Sequence, residues 1–268
     1  MAIELDSAVD ALSNVVALEH VNVCVPDRGK ALAFYVDGLG LTRDPELMTG
    51  TENMWINVGR SQFHLPTGKP QVLRGHVGLV LPGREGLVER LASLSSEFAA
   101  TDFQFSEGEE FVEVTSPWGN RFRCFDHDAR FGDAGRGMAY VAFDVPLGTA
   151  AAIARFYREM LGATTEVDDE DGVVARCAMG SHQHLVFRET DAEQRDYDGH
   201  HVQIYLTEHA GPYAKLEARG LAYEKVEHQY RFRDIVDLDD GKVLFTIEHE
   251  VRSTSHPLYG RALVNRSL

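Results

Sequence analysis

The chain has 268 residues, of which 44% are hydrophobic and 25% charged, and its formal net charge is −16. This composition predicts a globular protein of one large or two ordinary domains, and the 42 acidic against 26 basic residues exclude nucleic acid as an expected partner. The three cysteines show no CxxC spacing, no apolar run reaches the roughly 18 residues of a membrane span, and the first residues are acidic rather than basic. We therefore expect a cytoplasmic protein with no disulfide framework and no membrane partner.

Four strand-like segments share one pattern, in which a polar aromatic residue interrupts an apolar run. They are LEHVNVCVP (18–26), RGHVGLVLP (74–82), GMAYVAFDVP (137–146) and GHHVQIYLT (199–207). The interrupting residue, called the slot residue below, is His20, His76, Tyr140 and His201 in turn. The slots are separated by 56, 64 and 61 residues, which indicates a fourfold internal repeat.

Each of these strands is followed by a helical pattern, with apolar residues at intervals of three and four. The four predicted helices cover residues 29–41, 85–98, 149–163 and 210–221. The first and third share the motifs FYVDGLG and FYREMLG, each ending on a glycine that suits a helix C-terminus.

About three short β-like runs follow each helix, separated by turn residues. The sequence therefore predicts an α+β fold of four βαβββ modules, paired so that each module covers the open face of another. We expect modules 1 and 2 to form a domain over residues 15–130, and modules 3 and 4 a second domain over 137–255. The Gly-rich and charged stretch 128–137 is the predicted linker, and 256–268 is a C-terminal tail.

Modules that open on H-V-x-V-x-V-P and continue into a helix ending F-Y-x-x-x-L-G resemble the vicinal oxygen chelate superfamily. This group includes glyoxalase I, bleomycin-resistance proteins and extradiol dioxygenases. The resemblance covers almost the whole chain, and four modules in one chain are most similar to the two-domain extradiol dioxygenases. It implies two half-barrels, one of which surrounds a single divalent metal (Fe, Mn, Ni, Cu or Zn), with ligands from the first and last strand of each module.

For the first pair of modules, the resemblance implies His20, His64 and His76 as the preferred metal ligands. His64 stands where glyoxalase-type sequences have a glutamate in an I-E-L run. In module 2 the G-N-x-x-E pattern has Arg123 at the glutamate position, where it is suited to pair with an anionic substrate group. Three imidazoles without a carboxylate still form a reasonable metal site.

The second pair supplies an alternative metal site made by His201 and Glu248. Tyr140 occupies the first slot there, and Phe245 falls on the glutamate position counted from Gly241, so Glu248 is reached only with a bulge or a different register. Arg123, Tyr140 and Tyr230 are the candidate catalytic residues, with hydrogen bonding in the core as the alternative role for Tyr230.

These features favour a metal-dependent enzyme, dioxygenase-like or lyase-like, that acts on a small oxygenated substrate, with aromatic compounds among the candidates. The alternative is a non-catalytic protein that sequesters a small molecule, as bleomycin-resistance proteins do. A homo-oligomer is compatible with both hypotheses. The polar tail, with His256, Tyr259 and Arg261, is expected to be structural, and a lid over the second half-barrel or an oligomer contact are the alternatives.

Overall fold

The computed structural model describes residues 13–47, 53–132, 135–169 and 172–266. It contains the four predicted modules, each with one strand, one helix and three further strands. Module 1 consists of β1 (Val15–Asn22), α1 (Arg28–Leu32), β2 (Thr42–Arg43), β3 (Asn53–Val58) and β4 (Ser61–Pro66). Module 2 consists of β5 (Gly75–Val80), α2 (Arg84–Ser93), β6 (Gln104–Glu107), β7 (Phe111–Thr115) and β8 (Arg121–Phe125).

The second half of the chain repeats this order. Module 3 consists of β9 (Gly137–Pro146), α3 (Ala150–Phe156), β10 (Thr165–Asp168), β11 (Val174–Ala178) and β12 (His184–Thr190). Module 4 consists of β13 (His201–Leu206), α4 (Ala210–Ala218), β14 (Ala222–Val226), β15 (Gln229–Val236) and β16 (Val243–Ser253). The α+β class and the βαβββ modules predicted from the sequence are confirmed.

The strands form two eight-stranded sheets, neither of which is closed. Their orders are β14-β15-β16-β13-β1-β4-β3-β2 and β10-β11-β12-β9-β5-β8-β7-β6. Module 1 thus shares a sheet with module 4, and module 2 with module 3. Within every module the first strand runs parallel to the last strand. The other neighbours within a module are antiparallel.

The FY motifs form the buried ends of two helices. Helix α1 continues into a π-helical turn, Ala33–Gly38, and α3 continues into Tyr157–Leu161. The Phe–Tyr pairs Phe34–Tyr35 and Phe156–Tyr157 are fully buried, so the motif supplies core packing. The glycines that end the two motifs, Gly40 and Gly162, both have positive φ, at 72° and 71°, as their predicted role at a helix end requires.

Contacts divide the chain into two compact units. One contains residues 20–139 together with 262–266, and the other contains residues 13–19 together with 140–261. Thr207 and Glu208 hold Asn14 by hydrogen bonds in the second unit, and Asn265 holds the backbone of Gly59 in the first. In the described part of the chain, no helix is long and apolar enough to cross a membrane.

Candidate functional site

The strand register gives each slot residue a direct neighbour on the last strand of its own module. Because paired residues on adjacent strands point to the same face of a sheet, each pair marks the level of the slot on one face. The four pairs are His20 with Gln62, His76 with Arg121, Tyr140 with His184 and His201 with Glu248. The repeat therefore keeps its geometry while the chemistry of the pair changes from one module to the next.

Module 4 carries the most polar of these faces. Alternate residues of one strand share a face, and the register continues the pairing of His201 with Glu248 into that of Gln203 with Glu250 and of Tyr205 with Arg252. Arg231 of β15 lies opposite Glu250 on the other side of β16. We call the following set the module 4 face: His201, Gln203, Tyr205, Arg231, Glu248, Glu250 and Arg252.

Glu250 is held between two arginines on this face. Nη2 of Arg231 lies 2.5 Å from Oε2 of Glu250, and Nη2 of Arg252 lies 2.5 Å from Oε1. Only 5% of the Glu250 side chain is exposed. Because a buried carboxylate is costly without compensation, these two guanidinium groups offset the cost of burying Glu250.

The same two arginines reach further carboxylates. Arg231 also contacts Glu248, which accepts a hydrogen bond from the Tyr223 hydroxyl at 2.5 Å. Arg252 donates to Glu19 at 3.1 Å. Burial lowers the pKa of Arg252, but Glu250 and Glu19 raise it by more, so its pKa lies above the ordinary value. Both arginines therefore stay protonated and fix the carboxylates in place.

Burial and Glu19 together raise the pKa of Tyr205 to about 12. The pKa of Tyr223 is also raised, first by burial and then by Glu248. Both phenols therefore remain protonated at neutral pH and act on this face as hydrogen-bond donors rather than as bases.

Three buried residues have ligand atoms close enough to share a metal ion. The atoms of His20, His201 and Glu250 all lie within 4.8 Å of one another, and Nε2 of His201 is 3.9 Å from Oε2 of Glu250. His20 follows Glu19 directly in β1, so the strand that brings Glu19 to Arg252 also positions this histidine. Two imidazoles and one carboxylate form the donor set of the facial triad in non-haem iron(II) enzymes.

The charges around this triad suit a divalent cation. Glu19, Glu248 and Glu250 supply three carboxylates, and Arg231 and Arg252 supply two guanidinium groups. The excess of one negative charge favours a cation, although Glu250 would share its oxygens between the metal and its arginines. The donor set therefore fits the divalent metal that the fold implies.

Of the three histidines predicted in the first two modules, His20 and His64 are neighbours, with ring centroids 5.9 Å apart. His64 stacks on Trp55 with ring centroids 3.9 Å apart, and its Nδ1 lies 2.7 Å from the Asn22 side chain. His76 lies on β5, in the other sheet from His20. Within the described ranges, the three metal-ligand side chains whose donor atoms converge within 4.8 Å are His20, His201 and Glu250.

The alternative pair of His201 and Glu248 does lie together, with Nδ1 of His201 3.6 Å from Oε1 of Glu248. Glu248 is engaged by Arg231 and Tyr223. The carboxylate grouped with the two histidines is Glu250, which the sequence reasoning missed. The segment IEHE (247–250) could have indicated Glu250, because a residue two positions after Glu248 faces the same side of the strand.

The candidate catalytic residues lie in three separate places. Arg123 on β8 lies opposite Gly78, with its guanidinium 4.8 Å from the centre of the Phe111 ring. Tyr140 is buried beside His184 on the face of module 3. Tyr230 points to the opposite side of β15 from Arg231 and contacts Tyr213 of α4, so its surroundings are those of a core residue.

The first part of the tail packs against module 4. The ring of Tyr259 lies 4.9 Å from that of Tyr205, and His256 lies 6.4 Å from the same ring. Thr254 donates a backbone hydrogen bond to Leu206. The tail thus contacts a residue of the module 4 face, and its function as a lid stays a prediction.

No protein-family model matches the sequence, and no curated protein matches it significantly. Solved structures do match over most of the chain. Glyoxalase I from Zea mays is 13% identical, with 89% of this chain and 92% of that chain covered and a TM-score of 0.60. A Bacillus subtilis protein described provisionally as a dioxygenase is 14% identical, with 94% and 92% covered and a TM-score of 0.57.

A third match, the cppA protein of Streptococcus pneumoniae, is 9% identical, with 90% of this chain and 99% of that chain covered and a TM-score of 0.51. Identities this low show a common fold and leave the chemistry to be argued from the residues of this chain. The glyoxalase-like fold expected from the repeated strand motif is confirmed.

Proposed function

We propose that this protein is a divalent-metal-dependent enzyme of the vicinal oxygen chelate type, in which His20, His201 and Glu250 hold the metal. The observation that carries the proposal is the grouping of these three buried donors within 4.8 Å. Two histidines with one carboxylate favour a dioxygenase-like reaction on a small oxygenated substrate, with aromatic diols among the candidates, over a lyase-like one. When bound, a divalent metal with open positions supplies Lewis-acid stabilisation of two neighbouring substrate oxygens.

The protein's own residues then have defined tasks. Arg231 and Arg252 each contact one oxygen of the Glu250 carboxylate and hold it in one orientation, which preorganises it as a ligand. Tyr223 and Arg231 restrain Glu248 in the same way, beside Nδ1 of His201. Glu248 therefore lies 3.6 Å from Nδ1 of His201, where its carboxylate helps to orient the imidazole.

The second candidate function is sequestration of a small molecule without catalysis. One observation favours it, which is that both oxygens of Glu250 already contact guanidinium groups. A carboxylate with both oxygens on guanidinium groups needs no metal. The stacked Trp55 and His64 rings offer an aromatic surface of the kind that binds a flat ligand.

Metal analysis of the purified protein separates the two functions. We expect about one Fe, Mn, Ni, Cu or Zn per chain, lost in the His20→Ala/His201→Ala double variant and reduced in Glu250→Gln. His76→Ala is the matched control, because it removes a slot histidine outside the triad and should retain the metal. The proposal fails if the wild-type protein takes up no metal after incubation with each ion, or if His76→Ala loses the metal as completely as the double variant.

Oxygen uptake then tests the reaction class. Metal-loaded protein given a panel of catechols in an oxygen-electrode cell should consume dioxygen, with the rate lost in Glu250→Gln. A metal-loaded protein that leaves the oxygen level unchanged with every catechol, but binds several of them by calorimetry, would support sequestration instead.

A further inference from the structure

Modules 3 and 4 place an arginine at the same position of the repeat. Arg176 on β11 lies opposite Val186, which is two residues beyond His184, the partner of the slot residue Tyr140. In module 4, Arg231 lies opposite Glu250, which is two residues beyond Glu248. The two guanidinium groups are therefore carried by equivalent positions on equivalent faces.

What faces the arginine differs between the modules. Arg231 is met by two glutamates of the neighbouring strand, Glu248 and Glu250. The positions that correspond to these glutamates in module 3 are His184 and Val186, and neither carries a negative charge. The repeat has kept the cation in module 3 and replaced both of the anions that compensate it in module 4.

Arg176 is nevertheless buried, with 8% of its side chain exposed. Its ion pair with Asp168 is long, at 3.6 Å, and that carboxylate is 39% exposed. Glu166 of β10 is the cross-strand neighbour of Arg176, but it is exposed and forms no ion pair with it among the described residues. The buried Nε of Arg176 has no hydrogen-bond partner there. Because a buried guanidinium is stable only when it is compensated, this face favours an additional anion.

The neighbours of Arg176 are suited to the same ligand. Tyr140 lies opposite His184 across the β9–β12 pair. Ala178 lies opposite His184 across the β11–β12 pair, and Arg176 is two residues from Ala178 on the same strand. Arg176 and His184 therefore share one face of the sheet. A phenol and an imidazole can both donate a hydrogen bond to an oxyanion. All three side chains are buried.

We propose that Tyr140, Arg176 and His184 form an anion-binding subsite that takes a carboxylate or phosphate group of a small molecule. The planar fork of the arginine binds two oxygens of such a group, and the tyrosine and histidine donate to the others. The subsite uses no metal and does not depend on the triad of the proposed function.

Calorimetric titration of the protein in the presence of EDTA tests the subsite, with inorganic phosphate in one arm and benzoate in the other. Binding of one or both ligands is expected, and the ligand that binds identifies the oxyanion. Arg176→Gln should weaken this binding at least tenfold. Arg188→Gln is the matched control, because Arg188 lies on the same face of β12 as His184 but is already paired with Asp144 at 2.6 Å. The affinity of this variant for the anion should stay within twofold of the wild type.

Arg176→Lys keeps the positive charge but removes the planar guanidinium group. It replaces Arg176→Gln in the test if circular dichroism shows that the glutamine variant is unfolded. An intermediate loss of affinity is expected for the lysine variant. The subsite is overturned if neither phosphate nor benzoate binds the wild-type protein, or if the folded Arg176 variants bind as tightly as the Arg188 control.

Discussion

Arg231 lies directly opposite Glu250 across the β15–β16 ladder, with its guanidinium 2.5 Å from the carboxylate. Arg252, on the same strand as Glu250, contacts the second oxygen at the same distance. The carboxylate that we propose as a metal ligand is thus held by two cations before any metal binds. This arrangement fixes its position, and a metal bound there would share the oxygens of Glu250 with the two guanidinium groups.

Replacement of Arg231 by glutamine should therefore have two effects. The free energy of unfolding falls by about 2–4 kcal/mol, because Glu248 and Glu250 lose a shared partner in a largely buried place. Nickel should then raise the melting temperature of the variant more than that of the wild type, since the carboxylates are less compensated. Urea unfolding and thermal scans with and without nickel measure both effects.

Arg155→Gln is the control for this prediction. Arg155 forms ion pairs with Glu159 and Asp239 on the surface, and exposed pairs contribute little to stability. Its unfolding curve should match that of the wild type. Equal destabilisation of the two variants would contradict the role given to the module 4 network.

His249 is a buried histidine that should make stability depend on pH. Its Nε2 lies 2.6 Å from the Tyr157 hydroxyl, its Nδ1 lies 2.8 Å from the carbonyl of Ile247, and its ring stacks on Phe232. Burial lowers its pKa from 6.5 to about 3, an effect only partly offset by the hydrogen bond to Ile247. The folded state thus holds His249 neutral where the unfolded state would already bind a proton.

The contribution of His249 to the free energy of unfolding is at its maximum above pH 6.5, and it decreases as the pH falls from 6.5 towards 3. The loss is at most about 1.4 kcal/mol per pH unit. Urea unfolding in EDTA at pH 7.0, 6.0 and 5.0 should show a steeper decline for the wild type than for His249→Gln, which cannot titrate. Parallel slopes for the two proteins would assign the acid sensitivity to other groups.

Gly59 is a turn residue that should accept no side chain. Its φ is 65°, and a Cβ there would lie 2.1 Å from the carbonyl oxygen of Arg136. Gly59→Ala should lower the free energy of unfolding by several kcal/mol or abolish soluble expression, because the obstacle is backbone. Gly83→Ala is the control, since Gly83 also has a positive φ, at 88°, but a Cβ there would have no atom within 4 Å. This substitution should lower the free energy of unfolding by only about 1 kcal/mol.

The three cysteines should differ in reactivity. Cys124 and Cys177 are buried, and burial raises the pKa of Cys124 to about 12, whereas Cys24 is partly exposed. Titration with a thiol-reactive chromogenic disulfide at pH 8 should modify one cysteine per folded chain and three after unfolding. Cys24→Ser should abolish the fast reaction, and a second fast thiol in the folded protein would contradict the burial of the other two.

The sequence by itself determined the repeat and therefore the fold class. Slot spacing, helical periodicity and the FY motifs are local patterns, and each predicted module is present with its strands and helix in the expected order. The slot residues could also be placed on one face of each first strand, because alternation along a strand depends only on sequence position.

Only the tertiary structure decided which slots share a sheet and which residues meet there. Module order along the chain suggested His64 and His76 as partners of His20, while the sheet order puts β1 between β13 and β4. Glu250 stands five residues beyond the glutamate position counted from Gly241, so motif counting could not find it. Strand pairing between modules that are distant in the chain is set by long-range packing, and no local pattern encodes it.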